Sequence, residues 1–126
     1  KGRELTCAVI DSDNELFVLP ICEIVSKKDF FDYEAKYDPS LAEEIIPAKI
    51  DGDLEKAIKS QSVFLYKQLN CKGIVRVDYI WDGEELFFLE VNSIPGLSEE
   101  SIVPKMAKSF GWTYPELIKR ILDQAQ

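Results

Sequence analysis

Arg76-Val77-Asp78 and, twelve residues after Asp78, Glu90-Val91-Asn92-Ser93-Ile94-Pro95-Gly96 are the stretches whose reading decides the fold. Both alternate polar and apolar residues with the two-residue period of a strand. In the first, Arg76 and Asp78 point one way and Val75, Val77 and Tyr79 the other; in the second, Glu90 and Asn92 share a face opposite Phe87, Leu89 and Val91. Asp82-Gly83 between them is a turn signal. The pattern predicts a hairpin with one apolar face and one face carrying Arg, Asp, Glu and Asn.

Register decides whether that polar face is one site or two halves. Directly opposed residues in an antiparallel pair keep a constant index sum. A two-residue turn at Asp82-Gly83 opposes Asp78 to Phe87 and puts Asp78 and Glu90 on opposite faces, because a one-residue slip flips every side chain. Opposing Asp78 to Glu90 needs an odd loop centred near Glu84, or a bulge, and that is the register expected. Two carboxylates and an amide oxygen beside a cation suit a hard divalent metal such as Mg²⁺, which takes oxygen ligands and is usually shared with substrate phosphates. The plain alternative is a solvated sheet face with Arg76 and Asp78 as a surface pair. Pro95-Gly96 at the strand end, where backbone N–H groups can approach an oxyanion, favours the site.

The remaining chain supplies a scaffold. Leu5, Cys7 and Val9 alternate with Thr6, Ala8 and Ile10 in a first strand; Leu16 to Val25 reads as one or two more, broken near Pro20, with Asp11-Ser12-Asp13-Asn14 as the turn between. Residues 27–47 form a long aromatic-rich connection with little regular pattern, and Leu41 to Ile50 carries weak signals. Asp51 to Asn70 reads as a helix with an acidic N-cap and a stripe of Leu54, Ala57, Ile58, Gln61, Leu65 and Leu69. Ser101 is the N-cap of a short helix, with Met106, Ala107 and Phe110 inward and Gly111 as its stop. Thr113-x-x-Glu116 is a capping box for a last helix whose stripe is Leu117, Ile118, Ile121 and Leu122. The fold class expected is α+β, an antiparallel sheet with helices on one face and the site residues on the other.

At 126 residues the chain is one domain with enough length for a core. A net charge of −8 with no histidine argues against nucleic acid or anionic membrane as a partner. No run approaches a membrane span and no signal-peptide pattern opens the chain. Cys7, Cys22 and Cys71 are isolated and odd in number, which disfavours zinc and disulfide frameworks and fits reduced thiols in a cytoplasmic protein. The first residue is Lys1, and neither a phosphate loop nor a hinge precedes the motifs, so a piece of a longer protein is expected.

Glu90 to Gly96 followed by Ser101-Ile102-Val103-Pro104-Lys105 closely resembles the C-terminal part of D-alanine–D-alanine ligases, members of the ATP-grasp superfamily. So do Gly2-Arg3-Glu4-Leu5-Thr6, Phe31-Asp32-Tyr33-Glu34-Ala35-Lys36-Tyr37 and Asn70-Cys71-Lys72-Gly73, in family order and nearly end to end. The resemblance implies ATP-dependent joining of two D-alanines for peptidoglycan synthesis through an acyl phosphate and a tetrahedral oxyanion. It implies two Mg²⁺ ions, with Mn²⁺ as a substitute, held by Asp78, Glu90 and Asn92. It implies that Arg76 and the Gly96 N–H stabilise the oxyanion, that Lys36 meets ATP phosphate, that Glu4 faces the nucleotide ribose, and that Tyr37 orients the second amino acid. Ser101 would receive the carboxylate of the second D-alanine, with Ile102 beside it.

Ile102 stands where these ligases often have leucine, and Glu100 where histidine is frequent, which leaves the second-substrate preference open. The partners implied are D-alanine, ATP and the N-terminal and central lobes of the same enzyme, which is a homodimer when full length. The rival readings are another ATP-grasp carboxylate–amine ligase, or a degenerate lobe kept for binding. Residues 1–126 would then be the C-terminal lobe alone. The purified 126-residue chain, incubated with D-alanine and ATP-Mg²⁺, is expected to release no phosphate and form no dipeptide; turnover by this chain would overturn the lobe assignment.

Overall fold

The computed structural model describes residues 2–26, 42–93 and 95–124. Among the described residues six strands form one antiparallel sheet: β1 (Arg3–Ser12), β2 (Glu15–Val18), β3 (Cys22–Ser26), β4 (Ala42–Ile45), β5 (Ile74–Trp81) and β6 (Leu86–Asn92). Their order is β4-β3-β1-β5-β6, with β2 also paired to β1. Strand β1 is the organising element. Its start (Glu4 to Thr6) pairs with β3, its end (Val9 to Ser12) with β2, and its other edge from Arg3 to Ile10 with β5. Asp13 and Asn14 close the β1–β2 hairpin at φ 55° and 62°, the two left-handed positions that a two-residue hairpin turn needs. The break expected near Pro20 separates β2 from β3, and Leu19 bridges it by donating its N–H to the Ala8 carbonyl at 2.9 Å. Strand β4 corrects the expectation of an irregular segment here: four residues of Leu41 to Ile50 add an edge strand to β3.

Among the described residues there are three helices, α1 (Gly52–Gln68), α2 (Ile102–Phe110) and α3 (Tyr114–Gln124). Asp51 caps α1 by accepting the Leu54 N–H at 2.8 Å. Its end is a Schellman turn: Asn70 takes φ 52°, its N–H reaches the Lys67 carbonyl at 3.1 Å, and the Cys71 N–H reaches Tyr66 at 3.0 Å. The buried stripe of α1 is Leu54, Ile58, Ser62 and Tyr66, not the expected set with Ala57, Gln61 and Leu69, all of which are exposed. Polar tips are tolerated in this stripe because each finds a partner. The Ser62 hydroxyl meets the Ile58 carbonyl at 2.7 Å and the Tyr79 hydroxyl at 2.8 Å, and the Tyr66 hydroxyl donates to the Gly73 carbonyl at 2.6 Å.

The antiparallel sheet with packed helices is as expected for α1, which covers Leu5, Cys7, Val9, Val75, Val77 and Tyr79. The C-terminal helices add a refinement. They pack on the opposite face, where Ala8, Ile10, Cys22 and Ile74 meet Val103, Met106, Ala107, Trp112 and Leu117. Core and polar site therefore divide that face between them. Helix α3 is fastened to the β1–β2 turn by Arg120, whose guanidinium lies 4.2 Å from the Trp112 ring centre and donates to the Ser12 hydroxyl at 2.9 Å. Thr113 accepts the Glu116 N–H at 3.2 Å, the N-cap half of the capping box, while the Glu116 carboxylate turns to Arg120. Phe110 and Leu122, expected inward, are 41% and 59% exposed; Phe110 reaches the core only edge-on, against Phe17 and Trp112.

All three cysteines are free thiols, two of them buried. Burial raises Cys7 to about 11 and Cys22 to about 12. With native protein at pH 8, a thiol reagent is expected to modify Cys71 alone, and Cys7 and Cys22 only after denaturation. Peptide mapping of the labelled protein reads the outcome.

Candidate cation and anion site

The polar face is built by β1, β5 and β6. Glu4 and Thr6 stand on β1, Thr6 directly opposite Asp78 and Ala8 opposite Arg76. Across the other edge of β5, Asp78 opposes Glu90 and Arg76 opposes Asn92. The expected register is thus present, and a bulge produces it. The turn runs from Asp82 to Glu85, with the Asp82 N–H on the Glu85 carbonyl at 3.2 Å, Gly83 at φ 102° and the Asp82 carboxylate accepting from Glu84 and Glu85. Trp81 then opposes Leu86, and Ile80 opposes Phe87. Continued unbroken, this register would set Asp78 against Leu89. The register shift between Asp78 and Tyr79 leaves Leu89 as the extra residue and restores Glu90 and Asn92 to the face of Asp78.

Asp78 is 1% exposed and carries three hydrogen bonds. Arg76 donates from Nε to Oδ1 at 3.1 Å and from Nη2 to Oδ2 at 3.0 Å; Thr6 donates to Oδ1 at 2.6 Å. The surface-pair alternative fails here, because this ion pair is buried. Burial works against the Arg76 charge but is outweighed by its hydrogen bonds to Asp78 and the charges of Asp78, Glu4 and Glu90, so its pKa is raised. Glu4 is itself buried at 8% exposure, which rules out a strand-edge carboxylate in water. The arrangement is a fixed cation ringed by carboxylates, with Glu90 exposed at its open side.

Beyond β6 the chain turns toward α2. Pro95 is buried, and a Cβ on Gly96 would stand 3.1 Å from the Ser101 hydroxyl, so these two site candidates are brought together. Ser101 holds the N-cap position of α2 without a side-chain capping bond; its hydroxyl meets the Ser98 hydroxyl at 2.8 Å. The α2 N-terminus thus presents backbone N–H groups beside a hydroxyl, an arrangement suited to an anion. Tyr114 steadies the turn by donating to the Leu97 carbonyl at 2.8 Å. Ile102, half-buried, opens α2 and packs against the core on that face. Lys36 and Tyr37 lie outside the described residues. Thr6 was missed by sequence reasoning as a site residue; the signal available was its phase, the same alternation that puts Glu4 on the site face. At the start of Gly2-x-Glu4-x-Thr6, a Cβ on Gly2 would collide with the Ile80 side chain, which explains the glycine there.

The donor set fits a hard cation by its chemistry. Asp78 Oδ2 has one hydrogen bond among those formed with Arg76 and Thr6, so an acceptor site remains, and Glu90 and Asn92 add oxygen donors on the same face. Among the described residues no three histidine, cysteine or carboxylate side chains cluster as a closed metal cage, so a cation here would complete its shell with water or phosphate oxygens.

Solved ligase structures share this antiparallel, helix-flanked fold. The D-alanine–D-alanine ligase from Bacillus anthracis complexed with ATP superposes with a TM-score of 0.80 at 33% identity, over 99% of this chain and 40% of that one. The VanG D-Ala:D-Ser ligase from Enterococcus faecalis gives 0.78 at 37% identity, over 100% of this chain and 37% of that one. Residues 1–123 match the family model described as D-ala D-ala ligase C-terminus, and the chain belongs to that family. Among curated relatives, the D-alanine–D-alanine ligase of Fervidobacterium nodosum is 43% identical over 99% of this chain and 40% of its own length. The chain therefore spans about two fifths of such relatives.

Arg76→Ala would leave Asp78 buried without its counter-charge and is expected to destabilise the fold by about 3 kcal/mol. Arg76→Ala/Asp78→Asn should recover part of that loss. Urea unfolding of these two variants and of Asp78→Asn checks this, and a double-variant loss equal to the sum of the two single losses would show that the pair carries no coupling.

Proposed function

We propose that residues 1–126 are the C-terminal, ATP- and metal-binding lobe of an ATP-dependent D-alanine–D-alanine ligase that supplies the dipeptide for peptidoglycan in the cytoplasm. The observation that supports this most is the Leu89 bulge, which sets Asp78, Glu90 and Asn92 on one face beside the partly buried Arg76. Family membership supplies the reaction class. The other lobes of the same enzyme would provide the first D-alanine and the rest of the nucleotide site.

Asp78, Glu90 and Asn92 would hold Mg²⁺, which when bound neutralises phosphate charge as the γ-phosphoryl moves to a substrate carboxylate. What the chain itself contributes is positioning and fixed charge, which dominate in phosphoryl transfer. The Arg76 guanidinium, kept in place by the Asp78 carboxylate, presents a permanent positive charge to the oxyanion formed when the second amine attacks. The Gly96 N–H acts beside it. The Ser101 hydroxyl and the first N–H groups of α2 receive the carboxylate of the second substrate. Glu4 lies on the same face for the ribose, and Lys36 would meet phosphate as a mobile point charge while Tyr37 orients the second amino acid.

The structural likeness to a D-Ala:D-Ser ligase makes D-serine the comparison substrate. In the full-length protein, phosphate release with ATP-Mg²⁺ is expected to depend on D-alanine, and Glu90→Ala is expected to lower it on the order of a hundredfold or more. Turnover with D-serine plus D-alanine in preference to D-alanine alone would reassign the second substrate. Release that needs neither amino acid would overturn the ligase reading.

A further inference from the structure

Thr6 is fully buried in the most central strand, yet its hydroxyl is not spent on the sheet. It carries one hydrogen and has two acceptors in reach, the Asp78 carboxylate Oδ1 at 2.6 Å and the Val77 carbonyl at 3.3 Å. The shorter contact has the length of a charge-assisted O–H···O⁻ bond, so the proton goes to Asp78. The β-branched side chain holds few χ1 rotamers, and direct cross-strand opposition fixes its distance from Asp78. Thr6 and Arg76 Nε together fill both acceptor sites of Oδ1. Oδ2, with only Arg76 Nη2 upon it among these three bonds, retains one.

We propose that Thr6 is a positioning residue for the cation site: its hydroxyl locks the Asp78 carboxylate so that Oδ2 is the oxygen offered to a divalent cation. The proposal rests on the cation reading of the preceding subsection and assigns a role to a residue that touches neither metal nor substrate. Without the hydroxyl, Arg76 is the remaining side-chain donor of the three bonds, and the carboxylate is free to turn with the guanidinium. The cost falls on metal affinity, because groups that orient a ligand typically govern affinity by about ten- to a hundredfold.

The test uses the full-length protein with a non-hydrolysable ATP analogue and Mn²⁺, the free ion being counted by its electron paramagnetic resonance signal. Thr6→Val, which keeps the shape, and Thr6→Ala, which removes it, are both expected to weaken Mn²⁺ about tenfold or more, while Thr6→Ser binds as wild type. In steady state the Mg²⁺ concentration for half-maximal rate should rise in the same variants with KM for D-alanine unchanged. Thermal unfolding confirms that each variant is folded, and the Ala variant serves if the Val variant is not. Wild-type affinity in Thr6→Val or Thr6→Ala would overturn the proposal, as would a Thr6→Ser variant as weak as they are, since the effect would then belong to packing. A wild-type protein that binds no Mn²⁺ with the nucleotide, or binds it unchanged in Glu90→Ala, would instead overturn the cation site itself.

Discussion

The two-residue period of a strand is the constraint on which this molecule turns. Side chains on β5 and β6 have only two directions to take, and the core has already claimed one of them. Val75, Val77 and Tyr79 must face α1, so Arg76 and Asp78 must face away from it. Glu90 and Asn92 join them only because the ladder gives up one residue at Leu89. A bulge costs local ladder hydrogen bonding, and here that cost converts two half-faces into one donor set. It also leaves Phe87, Phe88 and Leu89 about half exposed on the edge strand, the visible consequence of a β6 whose phase serves chemistry at one end and core packing at the other.

Placing a buried ion pair in the middle of a sheet looks unfavourable until its neighbours are considered. Asp78 is almost without water contact, but it is matched by a bidentate guanidinium and a hydroxyl, so no charge is left uncompensated. The backbone is paired on both sides, in an unbroken ladder with β1 and across the bulge with β6, which prevents either partner from relaxing away. Charges held this way need little reorganisation when a ligand arrives, the property that makes fixed dipoles and cations effective in catalysis. The elements proposed to accept an anion, Gly96 and Ser101, sit beyond the strand instead of on it, steadied by Tyr114 and by the Ser98–Ser101 hydroxyl contact.

Much of this was legible before any coordinates. Alternation in Arg76-Val77-Asp78 and in Glu90-Val91-Asn92 told which residues share a face, and the demand that Asp78 meet Glu90 required an odd loop or a bulge; it did not say that the odd residue would be Leu89. Caps were legible because they are local: Ser101 and Thr113 hold the positions their spacing indicated, and of the two acidic residues that could open α1, Asp51 and Asp53, the structure selects Asp51. Burial was less so. Ser62 and Tyr66 displaced Gln61 and Leu69 from the α1 stripe because distant partners, Tyr79 and Gly73, satisfy their hydroxyls, and no local pattern reports a partner that far away. For the same reason Thr6 read as an ordinary strand threonine. The two-sided burial of β1 was hidden as well, since the alternation from Leu5 to Ile10 did not say that helices far along the chain cover both faces.

The central place of β1 sets the order in which the molecule can assemble. Strands β2 and β3 follow β1 closely and can pair with it as soon as they exist, but the contact between Thr6 and Asp78 spans 72 residues of chain. Until β5 arrives, β1 has one bare edge and both of its apolar faces wait for helices that lie further on. Loop closure over that span must precede the reward of the contacts it makes, which classes the domain with slow, topology-limited folders. Within this lobe, the meander of β1 to β3 is therefore a platform that waits for β5. The step that pairs β5 with β1 also brings Arg76 and Asp78 against Thr6, so this part of the polar cluster forms as the bare edge of β1 closes.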